Sequence, residues 1–204
     1  MTFNETLNCL SSTDQQMVGQ ILSLFEGVDT QTQTFCQETG LRCQKGCGDC
    51  CTAETIETTL TEALPLAVYL WSKDLAQQAL DAIEARPVHE TCIFYRPEGL
   101  NNGEGFCSVY PYRFGVCRLF SFAARKDKYG SLGLVTCKHI KENQTQEYKE
   151  VEQKLQKKDA KAPMLSAYAL SVASIDPVHG QMLLPVNQAV KQAIEKVGFY
   201  ISKH

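Results

Sequence analysis

The chain predicts a mainly α-helical protein with short β-strands and long loops, its helices packed around a cysteine-rich centre. Three observations lead there. Apolar residues recur at helical spacing in both outer thirds of the 204 residues. The middle third breaks into short apolar pieces between turn-rich runs, and most of the ten cysteines fall within it or just before it. With 44% hydrophobic and 21% charged residues the chain can bury an ordinary core. A single domain over 1–204 is expected, its cysteine-cluster core at 40–140, flanked by an N-terminal helix at about 11–39 and C-terminal helices over about 141–204.

The elements follow in order. The first ten or so residues carry no pattern and read as an unstructured terminus. In the following helix Ser12 and Gln15 form a capping-box pair, Met17, Ile21, Leu24, Phe25 and Val28 make the apolar stripe, and Gly40 ends it. TAETIETT alternates and is β-branched, so a short strand is expected. TEALPLAVYLW reads as a helix capped by Thr61, with Pro65 near enough to its start to be tolerated. Leu75, Ala79, Leu80 and Ile83 mark a further amphipathic helix. From ETCIFY to LGLVTCK the turn-rich runs RPEGLNNGEG and ARKDKYGS separate short strands, a region read as held by something other than a large core. The charged segment 141–161 reads as a solvated helix. APMLSAYALSVASI and PVNQAVKQAIEKVGFYISK read as two last helices divided by the DPVHGQ turn.

The net charge of −3 provides no field for nucleic-acid phosphates or anionic membranes. The amino terminus lacks a basic start and apolar core, so no signal peptide is expected, and no apolar run approaches the roughly 20 residues of a membrane span. A cytoplasmic protein is expected, its partner an unidentified protein or redox partner. In a reducing compartment cysteines serve metals or redox chemistry rather than disulfides, whereas export would permit five disulfides. His89, His139, His179 and His204 are scattered, with none inside the cysteine segments.

Cys9 and Cys36 read as small buried apolar residues. The other eight read as ligands: Cys43, Cys47, Cys50 and Cys51 crowd into LRCQKGCGDCC, and Cys92, Cys107, Cys117 and Cys137 follow in the turn-rich middle. Cys92 and Cys107 flank a hairpin or loop. Crowded thiolates repel one another and invite oxidation, and a thiophilic cation removes both difficulties. Zinc and an iron–sulfur cluster both accept four such sulfurs. The adjacent pair Cys50–Cys51, whose side chains ordinarily diverge, tips the expectation to iron–sulfur, a 4Fe-4S centre, over zinc. The Cys43, Cys47 and Cys50 spacing also matches radical S-adenosylmethionine enzymes. Asp49 stands where those carry an aromatic residue, and no strand–helix repeats follow.

Taken together, CQKGCGDCC, CIFY, CSVYPYRFGVCRLF and Cys137 resemble the YkgJ-type cysteine-cluster family, a zinc- or iron-chelating domain with eight characteristic cysteines; flagellin lysine N-methylase carries a related domain. Cys43, Cys47, Cys50 and Cys51 match its opening cluster, and Cys92 with Phe94 its second element. Cys107 with Tyr110, then Arg113, Cys117 and Arg118, match the third and fourth, with Phe114 in place of the family's proline. The resemblance implies a metal centre that is structural or electron-carrying, or an enzyme related to the methylase. Because four thiolates leave a metal centre net negative, Arg113 and Arg118 are read as cations near it that bond sulfur or a bound anion, with a plain surface salt bridge as the alternative. Tyr110 and Phe120 read as core aromatics.

Overall fold

The computed structural model describes residues 1–87, 91–98 and 104–203. His89, His204 and the middle of the RPEGLNNGEG run lie outside them. The regular structure is nine α-helices and three two-stranded antiparallel ribbons among the described residues, in agreement with the expected fold class. No helix among the described residues is long and apolar enough to cross a membrane.

The amino terminus is helical rather than unstructured. In α1 (Phe3–Asn8) Thr2 accepts from the Glu5 N–H, and the Thr2 N–H donates to the Glu5 carboxylate at 2.7 Å. Two orphan donors are thereby satisfied, and Phe3 and Leu7 pack on the main core. Cys9 therefore caps an ordered helix. In α2 (Ser12–Thr39) the cap is Ser11, one residue before the expected box, because Asp14 supplies the N3 amide that Ser11 accepts at 3.1 Å. Gly40 ends it with φ 77°.

After a 3-10 turn at Asp49–Thr52 come β1 (Glu57–Thr59) and α3 (Leu60–Ser72). The cap of α3 is Thr59, paired with Glu62, while Thr61 lies inside the helix and donates to Asp176 at 2.8 Å. In α4 (Ala76–Glu84) the buried stripe is Ala76, Ala79 and Ile83; Leu75, expected on it, is the exposed cap. The middle segment forms β2 (Tyr95–Pro97), β3 (Gly105–Cys107), α5 (Gly115–Leu119), β4 (Ala123–Lys126) and β5 (Leu132–Val135). Then follow α6 (Lys138–Asn143), α7 (Thr145–Lys157), α8 (Leu165–Ile175), β6 (Leu183–Pro185) and α9 (Val186–Ile201).

The main core lies between α3 and α9, where Leu64, Leu66, Ala67, Val190, Ala193 and Ile194 are buried, each Leu or Ile contributing about 1.5–3 kcal/mol. Trp71 ties the two helices by donating its Nε1–H to the Ile194 carbonyl at 2.9 Å. An unforeseen antiparallel pairing of β1 with β6, Glu57 opposite Pro185 and Thr59 opposite Leu183, joins the segments that lead into the two helices. Two expectations need correction. The middle segment has apolar anchors of its own: Ile93, Phe94, Val109 and Phe114 join the main core, and Phe122, Ala124 and Leu134 join a second one. The charged segment 141–161 breaks at Gln144, and α7 buries Val151 and Leu155 beside Phe35 and Ile140. Its charges conceal a narrow apolar stripe at helical spacing.

Candidate metal centre

The cysteine loop is suspended rather than packed. Leu41 is fully buried at its start and Thr58 at its end, yet between them Gly48 is the sole buried residue. Polar tethers hold it. The Gly105 N–H donates to the Gly46 carbonyl at 3.0 Å, and Cys47 makes an isolated antiparallel bridge with Glu104. The backbone of Arg42 exchanges two bonds, 2.8 and 2.7 Å, with the Gln144 side chain. Asp49 pairs with His139 at 3.2 Å and Lys138 at 3.6 Å. Gly48 and Gly105 permit this approach: a methyl group on either would come within 2.5 or 2.7 Å of the Tyr95 ring edge.

Tyr95 opposes Cys107 in the β2–β3 hairpin, so Cys92 and Cys107 flank that hairpin as expected. The structure brings together Cys43, Cys47, Cys50 and Cys51 from the loop, Cys92 and Cys107 from the hairpin ends and Cys117 from α5, all on the wall of one cavity of about 430 Å³. Cys137, the residue before α6, is not on that wall but lies near Cys43. Cys9 and Cys36 are elsewhere, and all ten thiols are free. The neighbours Cys50 and Cys51 do not diverge. The 3-10 turn that carries them rotates successive side chains by only about 120°, and both line the same cavity. Among the described residues no three of Cys, His, Asp or Glu stand at the spacing of a closed metal-ion site. The thiols surround a volume rather than a point.

Their proton affinities follow from that placement. Desolvation by the surrounding cavity wall, then the neighbouring Cys47, Cys50 and Cys137 thiols, pushes Cys43 up to about 11, although it keeps an exposed face. Burial likewise takes Cys92 to about 11 and Cys117 to about 12, and raises Cys107. Cys50 is lowered to about 7 because the Cys51 thiol donates to it, and Cys51 is raised in turn. A metal entering here displaces these protons, so its binding strengthens with pH.

Arg118 is buried and each of its three nitrogens has a partner: it pairs with Asp29, donates to the carbonyls of Arg113 at 2.8 Å and Pro111 at 2.6 Å, and lies over the Phe25 ring. Arg113 pairs with Asp29 at 3.1 Å and stacks 4.1 Å from the Tyr110 ring centre. Both line the cavity, and the Arg113 charge lowers the proton affinity of Cys43, Cys50, Cys107 and Cys117. Tyr110, expected in the core, is 58% exposed at the cavity wall; Phe120 is half-buried there. Sequence reasoning missed His139, which joins the loop through Asp49, and Thr32 and Ser121, which also line the cavity. None of these lies in a cysteine motif.

The donor set fits a soft metal centre. Apart from the thiols, every charged side chain on the wall is a cation, Lys45, Arg113 or Arg118, with no carboxylate or imidazole among the described residues there. Such a wall defines a cysteine-cluster metal-binding protein. The chain belongs to the CxxCxxCC family, described as "Putative zinc- or iron-chelating domain", whose model matches residues 42–154. The matched stretch takes in all eight clustered cysteines, both arginines and most of α7. No curated protein and no solved structure matches the chain.

Proposed function

We propose that four of the eight clustered cysteines ligate an iron–sulfur cluster of the 4Fe-4S type while the others surround it, with zinc as the alternative occupant, and that the protein is a cytoplasmic electron carrier for a partner protein. The observation that carries this is the ring of seven thiols around a volume, wider than the single point at about 2.3 Å from each sulfur that a zinc ion requires. When bound, such a cluster supplies one-electron uptake and release. The chain's own part is to ligate through thiolate, to offset the charge with Arg113 and Arg118, and to exclude water with Phe94, Val109 and Phe114. An electron-carrying role is favoured over a structural one because the hairpin and α5 already have apolar anchors. Anaerobic purification with absorption spectroscopy and iron, sulfide and zinc analysis tests the reading. A brown protein with iron and sulfide supports it; a colourless one with stoichiometric zinc overturns the cluster.

A second reading, an enzyme whose centre positions a substrate, is favoured by the two arginines on the cavity wall. The resemblance to flagellin lysine N-methylase then suggests S-adenosylmethionine-dependent methyl transfer, and failure of the loaded protein to bind that cofactor in calorimetry ends it. A zinc-binding interaction protein that offers 141–161 to a partner is less favoured, because α7 spends its apolar stripe on the protein's own core.

A further inference from the structure

Helix α5 carries Cys117 and Arg118 into the cavity wall, yet its own start has no local cap. Phe114, the residue before it, offers no side-chain oxygen to its first amides. The acceptor comes from 53 residues away: the Gly115 N–H donates to Oε1 of Glu62 at 3.1 Å. The same oxygen accepts from the Tyr168 hydroxyl of α8 at 2.6 Å. Oε2 accepts from the Thr59 N–H at 3.2 Å and the Thr59 hydroxyl at 3.0 Å. Glu62 is only 4% exposed, and among the described residues these four donors are all neutral. One buried carboxylate thereby ties the starts of α3 and α5 to α8. Gly115 is what lets Tyr168 reach it, because a methyl group there would stand 2.0 to 2.3 Å from atoms of the phenol.

We propose that Glu62 and Tyr168 are positioning residues for the metal centre: through Gly115 they fix the direction of α5 and so aim Cys117 as one of the ligands. The pair stands outside the cluster's own volume. Cys117, Phe114 and Arg118 line the cysteine cavity, whereas Glu62, Tyr168, Val116 and Leu119 line a separate one of about 450 Å³. Helix α5 is therefore a partition between the two. Its other end is held by Arg118, whose side chain bonds the Arg113 and Pro111 carbonyls and Asp29. A helix of five residues has too few backbone bonds to hold itself, so these attachments set its direction. Burying a carboxylate costs more than burying a neutral cap, but its bonds are charge-assisted and hold three segments at once. The inference rests on the metal-centre reading, because aiming Cys117 has a use only where its sulfur ligates.

Tyr168→Phe in the full chain removes one hydroxyl from the junction, and Ile194→Ala, which weakens the core from α9, serves as the control. The first readout needs no metal: iodoacetamide labelling of the reduced, metal-free chain, followed thiol by thiol by peptide mass spectrometry. Cys117 should label at least about tenfold faster in Tyr168→Phe than in the parent, with Cys36 and Cys107 within about twofold. In the loaded protein, metal should pass to a chelator at least about tenfold faster in Tyr168→Phe. The midpoint potential of the iron-loaded form should shift in that variant and stay put in Ile194→Ala. Glu62→Gln keeps an acceptor for Gly115 and Tyr168 but turns a donor towards Thr59, so its Cys117 labelling should fall between those of the parent and Tyr168→Phe. Unchanged Cys117 labelling in Tyr168→Phe, an equal rise at Cys36 and Cys107, or the same selective rise in Ile194→Ala overturns the proposal. Faster labelling with metal loss at the parent's rate removes Cys117 from the ligands and overturns it as well. A parent without iron and sulfide instead defeats the cluster reading, and the labelling pattern then decides the positioning role by itself.

Discussion

The α3–α9 core and the cysteine loop are built on opposite principles. In the core, Leu64, Leu66, Ala67, Ala193 and Ile194 are fully buried, and area removed from water holds them. In the loop, Arg42 to Glu57 contain no buried side chain, and a handful of bonds to Glu104, Gly105, Gln144 and His139 hold it. The difference leads to an expectation: the core should fold whether or not metal is bound, and metal should matter chiefly to the loop.

The largest effect is expected in the core. Leu64→Ala should lower unfolding stability by about 2–5 kcal/mol, measured by urea denaturation, while metal per folded molecule stays the same. Lost metal in the folded fraction would mean that the two regions are not separable. A smaller effect should come from Gly105→Ala, at the seam between them. Gly105 has φ 154° and abuts Tyr95 and the Arg96 carbonyl, so a methyl group should cost about 1–3 kcal/mol and, unlike Leu64→Ala, also speed metal loss to a chelator. A variant that retains metal as the parent does would show that the loop is not seated on the hairpin. Chelation should open the loop alone: hydrogen exchange should accelerate across 42–57 while the α3 and α9 amides stay protected. Cooperative unfolding of the whole chain would refute the separation.

The smallest effect concerns pH, on the core side. Burial acts to raise the Asp14 carboxyl, but its bonds to Lys196 at 2.6 Å and to Ser11 prevail and hold it below the usual carboxylate value. A depressed acid contributes stability that is complete above its unfolded value of about 4 and is lost as pH falls through the lower folded value. Asp14→Asn should remove that slope below pH 4, a difference of no more than about 1 kcal/mol after solvent screening, with no change in the exchange of the loop. An unaltered slope would assign the acid sensitivity to another group.

Local features were legible in the sequence to within a residue or so. The Met17–Val28 stripe and Gly40 mark α2, and TAETIETT marks β1, because periodicity and caps act over a single turn or strand. The caps themselves fell at Ser11 and Thr59, not Ser12 and Thr61; neighbouring hydroxyls compete, and only the position of the N3 carboxylate decides between them. The α7 stripe was obscured by its charges, and the loose reading of the terminus failed because α1 is stabilised by packing on α3.

By itself the sequence determined that eight cysteines sit in a family-specific pattern, that helices flank them, and that no basic field accompanies them. These are properties of composition and spacing. Only the tertiary structure decided that Cys50 and Cys51 share one wall, that Cys137 stands outside it near Cys43, and that His139 reaches the loop through Asp49. Each depends on the angle and register at which distant segments meet. Many weak contacts set that angle together, and no short stretch of the chain encodes it.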